Sequence, residues 1–271
     1  MIQYTNCKIN IGLNILSRRD DGFHDIETLF YPVNFLNDAV EIHESNDEHD
    51  HVYVYGLEIN EPEENNLCFK AVKLLRQHFS FPNVTIHLYK NVPMGAGLGG
   101  GSADATATLM LVNQLYNLEI SQSLMLNFAS KLGSDCAFFV QSTPQIGKGK
   151  GEVLSPANVN LSGKYLLIVK PNIHVSTADA YRNVSSNNNR IPISKNIQLP
   201  IEEWIHVIEN DFELSIFKAY PQIAELKRSL YQHGAIYAQM SGSGAACYGI
   251  FDSSPSHFDV PTDWSIFMGE L

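Results

Sequence analysis

A glycine-rich stretch at residues 91–105, which reads NVPMGAGLGGGSADA, constrains the fold more than any other part of this chain. A plausible strand at residues 84–89 precedes it, and residues 103–116 follow it as good helix formers without proline or glycine. Glycine lets the backbone approach a ligand closely, and a helix start offers unpaired N–H groups and a positive dipole end. The segment therefore predicts a strand, a phosphate-binding loop and a helix.

Other uses of this loop fit less well. Gly95, Gly97 and Gly100 satisfy G-x-G-x-x-G, but residues 91–94, which include Pro93, come between the strand and the first glycine, unlike a dinucleotide-binding turn. A Walker A loop needs Lys before Ser102, and a protein-kinase glycine loop runs into a second strand. A tight turn without a ligand would not need five glycines, because each one loses backbone entropy on folding.

The loop resembles the ATP-phosphate loop of the superfamily of galactokinase, homoserine kinase, mevalonate kinase and phosphomevalonate kinase. The triple glycine followed by Ser-Ala-Asp is similar to one branch, the 4-diphosphocytidyl-2-C-methyl-D-erythritol kinases. The resemblance implies Ser102 as a ligand of the metal or the β-phosphate. It implies contacts to ATP from Pro93, Met94, Gly95, Ala96, Gly97, Leu98, Gly99, Gly100, Gly101, Ser102 and Ala103.

Composition sets limits on the function. The 271 residues can bury one large core or two smaller ones, and the net charge of -11 argues against nucleic acid as the main ligand. The four cysteines are far apart and form no C-x-x-C pair, which is typical of reduced thiols. Without a signal pattern or a long apolar run, we expect a cytoplasmic protein that does not bind membranes.

Two motifs suggest catalytic residues. Residues 7–16 alternate apolar and polar side chains, which predicts a half-buried strand with Lys8 and Asn10 on its polar face, where a lysine is usually only solvated. Residues 133–138, GSDCAF, place Asp135 where a helix N-cap is the ordinary explanation. Both motifs resemble family motifs, with Cys7 in place of the usual Ala, and the resemblance implies Asp135 as catalytic base, Lys8 beside it and Asn10 at the substrate.

A third motif concerns the substrate. An Asp-Gly turn signal leads into Phe23 and His24, and this resembles the family motif in which an aromatic ring stacks near cytosine and a histidine hydrogen-bonds the base. Residues 175–181 resemble the family's substrate-binding helix start, which implies Thr177 and Tyr181 as further contacts. Lys150 replaces the usual arginine of another family motif, so any bidentate contact becomes a point-charge contact.

The remaining patterns predict mixed strands and helices without regular βαβ alternation, hence an α+β fold. Residues 38–43 and 52–55 predict two strands around a charged hairpin tip, and helices are predicted at 201–208 and 220–231. Asn66 caps a predicted helix and resembles a family residue near the adenine pocket. The resemblance implies a two-domain kinase with the active site between domains 1–156 and 157–271.

The implied reaction is transfer of phosphate from ATP, with Mg²⁺, to the 2-hydroxyl of 4-diphosphocytidyl-2-C-methyl-D-erythritol in non-mevalonate isoprenoid biosynthesis. We expect a monomer or weak homodimer whose partners are small molecules. A sister kinase for mevalonate, homoserine or a sugar is the nearest alternative, and Phe23 and His24 disfavour it. A regulatory module that only binds ATP would need no base, and a dinucleotide oxidoreductase is more remote.

Overall fold

The computed structural model describes residues 1–59, 61–176, 180–181, 184 and 186–271. It contains mixed strands and helices, which confirms the predicted α+β class. The chain divides into two compact units, each built from segments that are not consecutive. Unit 1 comprises Met1–Cys7, Leu36–Pro93 and Gly99–Thr143, and unit 2 comprises Lys8–Phe35, Met94–Leu98 and Pro144–Leu271. The domain boundary near residue 156 stays a prediction.

Strands β1 (Ile2–Arg18) and β2 (His24–Glu44) contribute residues to both units. In unit 1, β4 (Val84–Lys90) pairs antiparallel with β2 and parallel with β3 (His51–Gly56). The predicted hairpin between residues 38–43 and 52–55 is therefore wrong, because β4 lies between β2 and β3. The inward residues of β4, from Val84 to Leu88, are all buried, as expected for a strand that has a neighbour on each side.

The helices of unit 1 cover the buried face of these strands. Asn66 caps α1 by accepting a hydrogen bond from the Cys68 N–H at 2.9 Å, as its N-cap prediction required. Helix α2 begins three residues earlier than predicted, so two glycines of the loop belong to its first turn. The helices are α1 (Leu67–Arg76), α2 (Gly100–Leu115) and α3 (Gln122–Leu132), followed by a 3-10 turn (Cys136–Val140).

Unit 2 contains a four-stranded antiparallel sheet in the order β10-β7-β9-β8. The first residues of β2 pair with β5, and β5 pairs with β6. The strands are β5 (Gln145–Gly149), β6 (Val153–Pro156), β7 (Tyr165–Lys170), β8 (Tyr237–Met240), β9 (Cys247–Phe251) and β10 (Ser265–Glu270). The described helices are α4 (Ile193–Asn196), α5 (Trp204–Val207), α6 (Glu213–Ala219) and α7 (Pro221–Gln232).

The predicted helix at residues 201–208 is a 3-10 turn (Ile201–Glu203) that continues into the single turn of α5. The helix predicted at 220–231 is α7, shifted by one residue because Pro221 suits the first helical position. Among the helices in the described ranges, none is long and apolar enough to cross a membrane.

The polar face of β1 is buried, so the prediction of a half-buried strand is wrong. Lys8, Asn10 and Asn14 are each at most 3% exposed. Their polar groups have hydrogen-bond partners; for example, the Asn10 amide donates to the Thr28 hydroxyl at 3.0 Å. Alternation in the sequence gives the two faces of a strand, but it does not say whether other elements cover the polar one.

A buried ionic network in unit 1 lies beside the start of the glycine loop. The Lys90 ammonium contacts Asp38 and donates to Asp104 at 2.7 Å, and all three side chains are at most 2% exposed. Burial alone would lower the pKa of Lys90, but the two carboxylates outweigh it and raise that pKa. Burial also raises the pKa of Asp104 to about 6, although Lys90 opposes this.

The network anchors the backbone that enters the loop. One carboxylate oxygen of Asp38 accepts hydrogen bonds from the N–H groups of Asn91 and Val92, at 2.6 and 2.7 Å. Asp104 belongs to the first turns of α2 and also accepts a hydrogen bond from the Thr5 hydroxyl at 2.9 Å. The same three charges therefore hold β2, β4 and the helix on which the loop ends.

We expect Lys90→Met to destabilise the protein by about 3 to 5 kcal/mol, because it leaves two buried carboxylates facing each other without a cation. Lys70→Met, an exposed change on α1, is the matched control and should alter stability by less than about 0.5 kcal/mol. Urea unfolding of both variants measures the difference. Equal stability of the two would show that the network does not hold this region together.

Candidate active site

The loop between Pro93 and α2 buries two of its side chains, those of Ala96 and Leu98, whereas Met94 is exposed. Ala96 and Leu98 are each 1% exposed. Gly95, Gly97 and Gly99 have φ of 62°, 76° and 73°, in the left-handed region that favours glycine. Because Ala96 and Leu98 point inward and the glycines have no side chain, this loop offers a ligand mainly its peptide groups.

Gly97 allows a second segment of unit 2 to pack directly on the loop backbone. A Cβ atom on Gly97 would lie 1.9 Å from the Ser241 carbonyl oxygen, so no other residue fits there. The Ser241 hydroxyl donates to the Gly97 carbonyl at 2.9 Å. On the other side of this contact, a Cβ on Gly244 would lie 2.2 Å from the carbonyl carbon of Ala96. The turn at residues 241–244, which reads Ser-Gly-Ser-Gly, therefore packs directly on the backbone of the glycine loop.

Lys8 contacts the same part of the loop. Its ammonium group donates to the Gly97 carbonyl at 2.8 Å and to the Asn10 side-chain oxygen at 2.5 Å, and the Lys8 N–H donates to the Leu98 carbonyl at 2.9 Å. The Lys8 Nζ also lies 5.4 Å from the centre of the Phe30 ring. Unit 2 thus brings together the predicted catalytic lysine, the predicted substrate residue Asn10 and residues 97 and 98 of the glycine loop.

In unit 1, the end of the loop is the first turn of α2. Gly99 is the N-cap, and Gly100, Gly101 and Ser102 open the helix, where N–H groups have no partner within the helix. Gly101 is exposed, and the Ser102 side chain is half-buried. These features suit an anion, and the Ser102 hydroxyl is available as an oxygen ligand.

Asp135 lies in the turn that packs against this end of α2. Gly133 lies beside Ser102, because a Cβ atom added to this glycine would be 3.9 Å from the Ser102 hydroxyl oxygen. The Thr106 hydroxyl donates a hydrogen bond to the Cys136 carbonyl at 2.9 Å. Within the described residues, Asp135 makes no side-chain hydrogen bond that caps the following 3-10 turn, which removes the ordinary N-cap explanation. Burial raises the pKa of the Cys136 thiol to about 12, so that thiol stays protonated and serves packing.

The predicted cytidyl residues lie in unit 2. The rings of His24 and Tyr181 stack with centroids 4.9 Å apart and an interplanar angle of 19°, and Tyr181 meets Phe212 edge-on at 4.8 Å. Phe23 is 55% exposed at the exit of the turn, and the Lys150 ammonium lies 4.8 Å from its ring centre. Thr177 lies outside the described residues.

The geometry adds residues that sequence reasoning missed. Asp38, Lys90 and Asp104 support the loop, and the Thr28 hydroxyl orients Asn10 by accepting a hydrogen bond from its amide N–H. Two features of the sequence could have indicated the buried charges. Lys90 follows Val84, Ile86 and Leu88 on the inward face of β4, and Asp104 is the only charged residue of α2. Thr28 gives no such signal, because its partner lies on another strand.

Family models match both parts of the chain. The model of the GHMP kinases N terminal domain matches residues 66–143, and that of GHMP kinases C terminal matches residues 198–259. The first match contains the whole glycine loop, α2 and Asp135.

Several relatives match nearly the whole chain. A 4-diphosphocytidyl-2-C-methyl-D-erythritol kinase from Bacteroides thetaiotaomicron is 44% identical over 97% of this chain and 96% of its own length. Its counterpart from Parabacteroides distasonis is 43% identical over 100% of both chains.

Solved structures agree with the sequence relatives. A crystal structure of 4-(cytidine 5'-diphospho)-2C-methyl-D-erythritol kinase aligns with a TM-score of 0.76 at 28% identity, over 92% of this chain and 90% of that one. The mevalonate kinase of Methanococcus jannaschii shares the fold with a TM-score of 0.64 at 18% identity, over 100% and 98%. Together with the glycine loop and its surroundings, these matches show that the chain belongs to the 4-diphosphocytidyl-2-C-methyl-D-erythritol kinases of the GHMP kinase superfamily.

Proposed function

We infer that this chain is an ATP-dependent kinase that phosphorylates the 2-hydroxyl of 4-diphosphocytidyl-2-C-methyl-D-erythritol, giving the 2-phosphate and ADP in non-mevalonate isoprenoid biosynthesis. The observation that carries this function is the end-to-end match to kinases of this name. The loop geometry supports it, because the side chains of Ala96 and Leu98 are buried and the loop would present mainly peptide groups to a ligand.

We propose that residues 93–103 bind the phosphates of ATP, with Asn66 near the adenine. The N–H groups at the start of α2 have no helical partner and would donate to phosphate oxygens. The Lys8 and Ser241 contacts to the Gly97 carbonyl keep one peptide group of the loop in a fixed orientation. A loop that is held before the nucleotide arrives loses less entropy on binding.

Mg²⁺ fits the donor set of unit 1. The Ser102 hydroxyl and the Asp135 carboxylate are hard oxygen ligands. Asp135 belongs to the turn that begins at Gly133, and Ser102 lies beside that glycine. When bound, Mg²⁺ would neutralise charge on the phosphate oxygens. Ser102 is the residue that we propose as its protein ligand.

We propose that Asp135 accepts the proton of the 2-hydroxyl as that oxygen attacks the γ-phosphorus. The proton moves to the Asp135 carboxylate, the bond from the γ-phosphorus to the β,γ-bridging oxygen breaks, and ADP leaves with that oxygen. Lys8 would stabilise the negative charge that gathers on the transferred group. Asn10, whose side-chain oxygen accepts a hydrogen bond from the Lys8 ammonium, orients that ammonium and contributes to substrate binding.

The cytidyl group would bind at Phe23, His24 and Tyr181, with Thr177 as a further contact. The stacked rings of His24 and Tyr181 leave no room for a third ring between them, so the base must use an outer face or edge of this pair. Exposed Phe23 offers a stacking surface, and the His24 imidazole offers one donor and one acceptor. Binding energy from this remote group can hold the 2-hydroxyl in line with the phosphate.

The function is tested by measuring ADP release from MgATP with the purified protein and four alcohols in parallel. We expect turnover with 4-diphosphocytidyl-2-C-methyl-D-erythritol and none with mevalonate, homoserine or galactose. Turnover with one of the other alcohols would overturn the substrate assignment. ATP binding without turnover of any alcohol would instead favour a regulatory module.

We expect Asp135→Asn to lower kcat by about 10² to 10⁴, because a positioned general base contributes about that much. The KM for ATP and the thermal stability should change little. Asp47→Asn, which changes an exposed carboxylate of the same unit, is the control and should leave kcat unchanged. Near-normal kcat in Asp135→Asn would remove Asp135 from the proposed mechanism.

We expect Lys8→Met to lose most of the turnover as well, as measured by steady-state kinetics. Near-normal kcat in this variant would remove Lys8 from the proposed mechanism.

We expect His24→Ala to raise the KM for the cytidyl substrate about 10-fold and to leave the KM for ATP nearly unchanged. Loss of one base-edge hydrogen bond, worth about 1.4 kcal/mol, gives this factor. His206→Ala on α5 is an exposed histidine control and should change neither constant. Equal increases in both KM values would place His24 outside the cytidyl site.

A further inference from the structure

Two histidines face each other on the outer surface of the unit 1 sheet. His43 on β2 lies opposite Thr85, and His87 on β4 lies opposite Glu41, so the two histidines are diagonal neighbours on one face. Their Nε2 atoms are 3.3 Å apart. His43 is exposed and His87 is half-buried, so a small solute can reach both nitrogens.

The other nitrogen of each ring already has an oxygen partner. The Nδ1 atom of His43 lies 2.9 Å from the Glu44 carbonyl oxygen, and the Nδ1 atom of His87 lies 3.1 Å from the Tyr55 hydroxyl. Because a carbonyl only accepts, Nδ1 of neutral His43 carries the proton and its Nε2 carries the lone pair. Metal-binding histidines commonly donate their second N–H to a carbonyl or another oxygen in this way.

We propose that the Nε2 atoms of His43 and His87 together bind a divalent transition-metal ion such as Zn²⁺ or Ni²⁺. Two Zn–N bonds of about 2.0 to 2.1 Å at a tetrahedral angle place the nitrogens about 3.3 to 3.4 Å apart. The separation of 3.3 Å in the protein therefore already matches a shared ion. No group of three or more His, Cys, Asp or Glu side chains in the described part of the chain suits a metal, so water completes the coordination.

Binding requires only a change of tautomer. In the metal-free protein, His87 Nε2–H can donate to His43 Nε2 while the Tyr55 O–H donates to His87 Nδ1. With the ion bound, the His87 proton sits on Nδ1 and donates to the Tyr55 hydroxyl oxygen. Both imidazoles stay neutral, and both Nε2 lone pairs face the ion.

The neighbouring rings hold His87 in place before any ion arrives. Tyr53 and Tyr55 stack against it with centroids 5.5 and 5.8 Å away, which restricts rotation of the imidazole. The carboxylate of Glu41, its cross-strand neighbour, adds negative charge to this face. Imidazole ligands favour Zn²⁺, Ni²⁺ and Cu²⁺, whereas Mg²⁺ prefers oxygen, so the site is chemically distinct from that of MgATP.

Calorimetric titration of the full chain with ZnCl₂ in the absence of nucleotide tests the site. We expect one equivalent of Zn²⁺ to bind. Loss of an outer-shell partner alone lowers metal affinity about 10- to 100-fold, so loss of a direct ligand in His43→Ala or His87→Ala should lower it at least tenfold. His257→Ala removes an exposed histidine that lies 3.0 Å from the Asp259 carboxylate, and it should bind like the unmodified chain. Unchanged affinity in both of the first two variants would overturn the proposal.

A second readout separates a binding defect from a folding defect. Because the ion would join β2 to β4, ZnCl₂ should raise the Tm of the unmodified chain and of His257→Ala, and MgCl₂ should not. His43→Gln and His87→Gln should keep the metal-free Tm but lose the rise. A rise of equal size in these variants, or an anomalous peak in a Zn²⁺-soaked crystal away from the two Nε2 atoms, would contradict the assignment.

Discussion

The buried ammonium group of Lys90 makes the interaction on which both ends of the glycine loop, the parts that belong to unit 1, depend. It lies between two carboxylates that share no other cation in the described structure, and one of them, Asp38, also holds the N–H groups of Asn91 and Val92. A charge buried this deeply is tolerated only with such partners. The network therefore fixes where the chain leaves β4, and through Asp104 it fixes the first turns of α2.

The loop is held differently in unit 2. There the Gly97 carbonyl accepts two hydrogen bonds, one from the Lys8 ammonium and one from the Ser241 hydroxyl. Because Gly97 has no side chain, the turn at residues 241–244 can pack against its backbone. Each unit thus anchors its part of the loop through buried polar groups, and the exposed peptide groups are left for the ligand. This arrangement suits phosphoryl transfer, which depends on positioning and charge more than on covalent chemistry.

Helix caps could be predicted from the sequence because they depend on hydrogen bonds between residues that are close in the chain. Asn66 caps α1 and Ser121 caps α3 through their own side chains, so the signal lies within three residues. The parallel pairing of β3 with β4 and the burial of Lys8 depend on segments that are distant in sequence. Alternation in β1 gave two faces correctly, but coverage of the polar face required the loop and the turn at Ser241.

The site shows the same division. The family motifs predicted Lys8, Asn10 and the loop, and unit 2 brings these together. The supporting charges were missed because Asp38 and Lys90 are 52 positions apart, and only the pairing of β2 with β4 makes them neighbours. The His43–His87 pair was missed for the same reason. Side-chain chemistry is visible in a sequence, whereas the partner across a sheet is not.

The central claim is that phosphate is transferred to the 2-hydroxyl of the substrate. The carbon that carries this hydroxyl also carries the methyl branch and no hydrogen, so a phosphate there has no proton three bonds away. Proton-coupled ³¹P NMR of the product made with MgATP tests this directly. The account predicts a new phosphomonoester signal without three-bond coupling to a carbon-bound proton, and a signal split by such protons would contradict it.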